Sequence, residues 1–111
     1  MGAPYPEIYS GTAEVSTTLV CLSGSGSIPQ FTPLMIEPTS GLMTPWDGVN
    51  AGAAVYLTCF NIESNVQSRA QVYKTGTFNV DIVNWPESVT TLEKKLSAFA
   101  GSALSVQPLA G

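Results

Sequence analysis

The side chains that could carry chemistry are few and poorly spaced for it. The chain has no histidine, so the commonest general base and the commonest metal ligand are both missing. Its carboxylates are Glu7, Glu14, Glu37, Asp47, Glu63, Asp81, Glu87 and Glu93. No two stand in a motif that would pair them as general acid and base, and they do not cluster as a calcium loop requires. Asp47 and Asp81 fall in turn and strand contexts that suit capping or solvated roles. Cys21 and Cys59 lack a base to activate them and are too few to hold zinc. The simplest expectation is two free, mostly buried thiols acting as small hydrophobes. If paired, they would instead close the loop between them and add about 3–4 kcal/mol in the chain-entropy model. A serine with Lys74, Lys94 or Lys95 is the one nucleophile arrangement left, and it has no catalytic spacing. The Ser23–Ser27 run (SGSGS) is glycine-rich, but no lysine and no clear helix follow it, so it reads as a linker. The sequence therefore predicts no enzyme, no cofactor and no metal.

The composition points the same way. Of 111 residues only 11% are charged, against about 25% in an ordinary soluble domain. The polar share is carried by 12 Ser and 11 Thr. A net charge of −4 argues against binding nucleic acid, which calls for a basic face. No apolar run reaches the ~18–20 residues needed to cross a bilayer. The N-terminus lacks the basic start and apolar stretch of a secretory signal, so synthesis in a reducing cytoplasm is expected. A weakly charged surface suits a chain that buries part of it in an assembly.

These residues are positioned by short strands. Val15–Leu22, Phe31–Ile36, Ala53–Phe60, Gln71–Lys74, Thr77–Val83 and Ser102–Val106 are rich in β-branched and apolar residues. Pro33 places its strand at an edge or a bulge. Ala53–Phe60 is apolar on both faces and should be central. Thr75-Gly76 reads as a hairpin turn between its flanking strands. Phe78, Val80 and Ile82 alternate with Asn79 and Asp81, a half-buried strand pattern. Asn61–Arg69 is a polar connection, and Gln107–Gly111 a frayed end. One helix is expected, starting at Ser88 or Thr90 and closing at Gly101, with Leu92, Leu96, Phe99 and Ala100 as its apolar face. The fold class is thus mainly β with one short α-helix (α+β), in a single domain. Trp46 and Trp85 each stand beside a proline, as core plugs or interface anchors. Met1 to about Ala13 is an arm. Pro4 and Pro6 favour extended geometry, and Tyr5, Ile8 and Tyr9 belong either to a frayed terminus or to a segment that docks elsewhere.

A set of short motifs occurs in one order: FTPLM at 31–35, WDG at 46–48, GAAV at 52–55, YKTGTF at 73–78, WPE at 85–87, Lys94-Lys95 and AFAG at 98–101. In these the chain resembles the head decoration proteins of lambda-like bacteriophages, from Phe31 to Val106. The resemblance implies a β-rich domain that forms homotrimers and binds the outer surface of the expanded phage head at threefold and quasi-threefold positions. There it would hold the shell against the pressure of packaged DNA. It implies the major capsid protein as partner, with no direct contact to nucleic acid or membrane, and no catalysis. It implies that residues 1–15 are a flexible capsid-binding arm, with Tyr5, Pro6, Ile8 and Tyr9 as candidate contacts. Residues 16–111 would form one decoration domain, with Trp46, Phe78, Trp85 and Phe99 as core or interface anchors. The weak charge and many hydroxyls also suit a different class, a virion-surface or extracellular β-module that binds a receptor or carbohydrate.

Overall fold

The computed structural model describes residues 15–24 and 26–108. Among these residues eight strands occur, in the order β1 (Ser16–Cys21), β2 (Ser27–Ile28), β3 (Pro33–Ile36), β4 (Met43–Pro45), β5 (Ala54–Thr58), β6 (Ile62–Glu63), β7 (Arg69–Asn79) and β8 (Leu104–Gln107). A 3₁₀ turn (Val80–Ile82) follows β7, and a short helix, α1 (Leu92–Ser97), precedes β8. The fold is mainly β with one short helix among the described residues, as the β-branched runs imply.

The main sheet runs β1-β7-β5-β3-β4 with antiparallel neighbours, and β8 joins β7 in parallel. β5 is central, as its two apolar faces require. β3 lies between β5 and β4, so Pro33 is not on an edge strand. It opens β3, where its missing N–H costs nothing, and the ladder to β5 is irregular between Leu34 and Met35. The two ends of the strand order meet: Leu22, just past β1, bridges Met43 of β4, and the Ser23 N–H donates to the Met43 carbonyl at 2.9 Å.

The pleat separates two cores. Leu57 pairs with Tyr73 and Thr58 with Val72, so the two pairs point to opposite faces. One face joins Leu57 and Ala54 to Phe78, Val83, Val89, Ala98, Phe99, Leu104 and Val106 from the C-terminal third. The other gathers Val20, Leu34, Met43, Ala70 and Val72, closed by Ile28 and Ile62. Those two isoleucines belong to a ribbon of β2 and β6. β6 lies within the expected polar connection 61–69, because a two-residue strand leaves no periodic signal.

Several sequence expectations are corrected. Thr75-Gly76 makes no hairpin: β7 runs through both residues. The register of β1 against β7 skips Lys74, with Thr17 opposite Tyr73 and Ser16 opposite Thr75. This bulge changes which face successive side chains take, so Phe78 joins the core of Tyr73 rather than that of Val72. Gly76 serves close approach instead of a turn: a Cβ there would stand 3.0 Å from the Phe78 ring and 3.2 Å from Val15. The alternating run also ends early. Asn79 accepts the Asp81 N–H at 3.0 Å and starts the 3₁₀ turn.

The helix begins later than either expected start. Thr91 is its N-cap and accepts the Lys94 N–H at 3.3 Å. The helix also ends at Ser97, short of the predicted face: Ala98 and Phe99 beyond it are buried, while Leu92 and Leu96 within it are 47% and 42% exposed. The predicted apolar face is therefore split, and Ala100 is exposed as well. Cys21 is exposed rather than buried, Cys59 is buried, and both are free. Gln107 is not frayed but pairs with Asn79.

Candidate functional site

The four aromatic anchors named from the sequence come together beside the sheet. Phe78 and Phe99 are fully enclosed, Trp46 is 4% exposed, and Trp85 packs at the margin of the same cluster. Trp46 and Trp85 meet edge-to-face at 6.3 Å, and Trp85 continues to Phe99 at 6.4 Å. Phe78 lies 4.9 Å from Tyr73, which stacks on Phe31 at 6.5 Å. Both indole N–H groups are satisfied, Trp46 donating to the Asn50 carbonyl at 3.2 Å and Trp85 to the Val80 carbonyl at 2.9 Å. Large rings with their polar handles bonded to backbone fasten the C-terminal segments onto the sheet.

A buried polar knot fixes the adjacent loop. Thr58 donates to the Pro29 carbonyl at 2.9 Å and accepts the Thr32 N–H at 2.8 Å. Thr32 donates to the same carbonyl at 2.7 Å and accepts from the Asn84 amide at 3.1 Å. Between them Phe31 is held at φ 63°, a left-handed conformation that costs a bulky residue energy. Its N–H donates to Thr58 at 3.0 Å and its carbonyl accepts from Asn84 at 2.8 Å. Nothing in the local sequence marks these threonines, because the knot joins residues 26 and 52 positions apart. Beside it lies a groove of about 310 Å³ walled by Pro29, Pro33, Pro45, Trp46, Trp85 and Pro86.

The reactive groups are placed for inertness. Cys59 is buried, and loss of solvation pushes its thiol up to about 11, with a hydrogen bond to Tyr73 pulling slightly the other way. A nucleophilic thiol needs the opposite shift. Asp47 accepts the Val49 N–H at 3.0 Å, the turn-capping role its Asp-Gly context suggests. Among the described residues no three His, Cys, Asp or Glu side chains gather as a metal would need, and no helix is long and apolar enough to cross a membrane.

The arm contacts Tyr5, Pro6, Ile8 and Tyr9 lie outside the described residues. Val15, the first residue described, packs against the larger core, and the chain then enters β1 at one end of the strand order. Sequence reasoning missed the exposure of Ile36, which it placed in an apolar strand run, and of Leu92 and Leu96, which it placed on the apolar face of the helix. Only the packing shows otherwise.

Comparison with known proteins assigns this scaffold. The family model for the bacteriophage lambda head decoration protein D matches residues 7–106. A head decoration protein of Enterobacteria phage P21 is 39% identical over 98 residues, covering 88% of this chain and 84% of that protein. A decoration protein of Escherichia phage N15 is 43% identical over 82 residues, 74% of each chain. With both the family model and two relatives spanning most of its length, the chain belongs to the phage lambda head decoration protein D family.

Proposed function

We propose that this protein decorates a bacteriophage head, binding the outside of the expanded shell as homotrimers at threefold and quasi-threefold positions and stabilising it against packaged DNA. The observation that carries this reading is the family match over residues 7–106. Its role is adhesion rather than catalysis, and its partners are itself and the major capsid protein. It is made in the host cytoplasm and resides on the virion surface.

Residues 1–15 act as the capsid-binding arm and residues 16–111 as the decoration domain. Tyr5, Pro6, Ile8 and Tyr9 supply the arm's contacts. An extended segment can add to a sheet edge through main-chain hydrogen bonds while alternate side chains give specificity. Three arms on one trimer turn weak single contacts into durable attachment. The anchoring of Val15 supports this: the residue that joins the arm to β1 packs against the larger core, so the arm has a fixed root on the domain.

The test is deletion of residues 1–14 followed by co-sedimentation with expanded shells. The truncated protein is expected to keep its circular dichroism and its self-association and to lose shell binding. Undiminished binding would refute the arm's role. A wild-type protein that ignores expanded shells would refute decoration itself.

A further inference from the structure

The groove beside the polar knot has the size of a ligand site, about 310 Å³ against a range of roughly 300–1,000 Å³. Pro29, Pro33, Pro45 and Pro86 wall it together with Trp46 and Trp85. Hydrogen bonds stitch its three chain segments together. The Trp46 backbone N–H donates to the Pro33 carbonyl at 2.8 Å, the Asn84 backbone N–H to the Phe31 carbonyl at 2.8 Å, and the Asn84 side-chain amide to the Thr32 hydroxyl at 3.1 Å. The left-handed Phe31 lies within this stitching, and strain of that kind collects at ligand clamps. The groove is built before any ligand arrives, which lowers the cost of binding.

The wall chemistry selects the ligand. Proline has no N–H, and both indole N–H groups are already bonded to backbone carbonyls, so these six walls offer ring surface and no donor. No charged residue lines the groove. An uncharged polyproline II segment fits such walls, because it has no internal hydrogen bonds to lose and little entropy to surrender. The exposed Asn84 adds a side-chain carbonyl with no partner among the described residues, able to accept from an O–H of that segment. The chain carries one. Ala3-Pro4-Tyr5-Pro6 is the single place in the sequence where two prolines stand within three residues, and each biases its neighbourhood toward extended geometry. Its reach is sufficient. Pro6 precedes Val15 by nine residues, up to about 30 Å of extended chain, and Val15 packs on the same core cluster as Trp46 and Trp85.

We propose that Ala3–Pro6 docks in the proline–tryptophan groove of its own chain, with the Tyr5 hydroxyl donating to Asn84, and that the shell must displace it. Tethering supplies an effective concentration on the order of 1 mM, so a contact with a dissociation constant of about 0.1 mM is roughly 90% occupied. The competition rests on the arm of the proposed function: a docked arm withholds Tyr5 and Pro6 from the shell, and at that occupancy the apparent affinity for the shell falls about tenfold.

The test compares full-length protein with its Pro4→Ala/Pro6→Ala variant by NMR of the backbone amides and indole N–H groups. Docking predicts shift differences at Asn84, Trp46 and Trp85, and faster acrylamide quenching of tryptophan fluorescence in the variant. A synthetic peptide of residues 1–10 added to protein lacking residues 1–14 is expected to restore the wild-type shifts, and the same peptide with alanine at both prolines to leave them unmoved. Matching spectra and quenching in wild type and variant overturn the proposal. So does the appearance of the shifts in isotope-labelled protein lacking residues 1–14 when unlabelled full-length protein is added, which would put the arm on another copy. Pro29→Glu probes the groove side, with Pro86→Ala as a milder second variant and thermal melts to confirm folding. Pro29 is exposed, and its bonds to Thr32 and Thr58 use the backbone carbonyl that glutamate retains. Each groove variant is expected to release the arm and raise shell affinity, by up to about tenfold. A released arm with unchanged shell affinity overturns the competition. A wild type that shows the docking shifts but ignores expanded shells refutes decoration instead, which separates the two failures.

Discussion

Thr58→Val tests the polar knot with almost no change of shape. The hydroxyl it removes accepts the buried Thr32 N–H at 2.8 Å and donates to the Pro29 carbonyl at 2.9 Å. The carbonyl keeps its bond from the Thr32 hydroxyl at 2.7 Å. The Thr32 N–H loses its side-chain acceptor, and an orphaned buried donor costs about 1–3 kcal/mol. Thr58 is fully buried, so the inserted methyl cannot be offset by water reaching the site. We expect a loss near 2 kcal/mol, a fall in Tm on the order of 8 °C for a domain of this size. Thr58→Ser keeps the hydroxyl and gives up one methyl, worth about 1 kcal/mol. Urea denaturation of the three proteins at one fixed concentration measures both differences, the concentration being held because association adds its own stabilisation. The reasoning fails if Thr58→Val costs less than Thr58→Ser, because the hydrogen bonds would then not be what holds Phe31 in its left-handed conformation.

Other outcomes follow from single contacts. Phe78→Ala empties a fully enclosed site and should cost about 3–5 kcal/mol in guanidinium denaturation. Gly52→Ala combines φ +77° with a Cβ 2.9 Å from the Ala100 carbonyl and should lower Tm clearly more than Gly41→Ala, where φ is +75° and no atom lies within 4 Å. In native protein at pH 8 a thiol reagent should modify Cys21 and spare Cys59, with Cys59 reacting only in denaturant. Because the Cys59 thiol is raised from 9.0 to about 11, both states hold the proton below pH 9 and the group is then neutral to stability. Between about pH 9 and 11 the unfolded thiol ionises first, so stability should fall in that window, and less in Cys59→Ala.

How much of this was legible in the sequence varies by element. β5 was readable as a central strand because both of its faces are apolar, and a short helix was readable near Leu92 because threonine caps and lysines bracket it. The strands β2 and β6 were not, since two residues carry no period. The Thr75-Gly76 hairpin misled because glycine is ambiguous: it permits a turn, but it also permits the approach of Phe78 and Val15 that occurs here. The aromatic anchors were identifiable by type, yet their common cluster draws on positions 46, 78, 85 and 99, and no local pattern links them.

The sequence by itself determined the class of the protein. Few charges and β-branched runs read as a mainly β domain, and the ordered series of motifs carries the resemblance to the decoration family to which the chain belongs. The tertiary structure decided where each residue stands. Whether a leucine is core or surface depends on which turn packs against the sheet: α1 ends at Ser97, the buried Ala98 and Phe99 lie beyond it, and Leu92 and Leu96 stay exposed. Whether Phe78 joins one core or the other depends on a single skipped residue at Lys74. Both are set by contacts between distant segments.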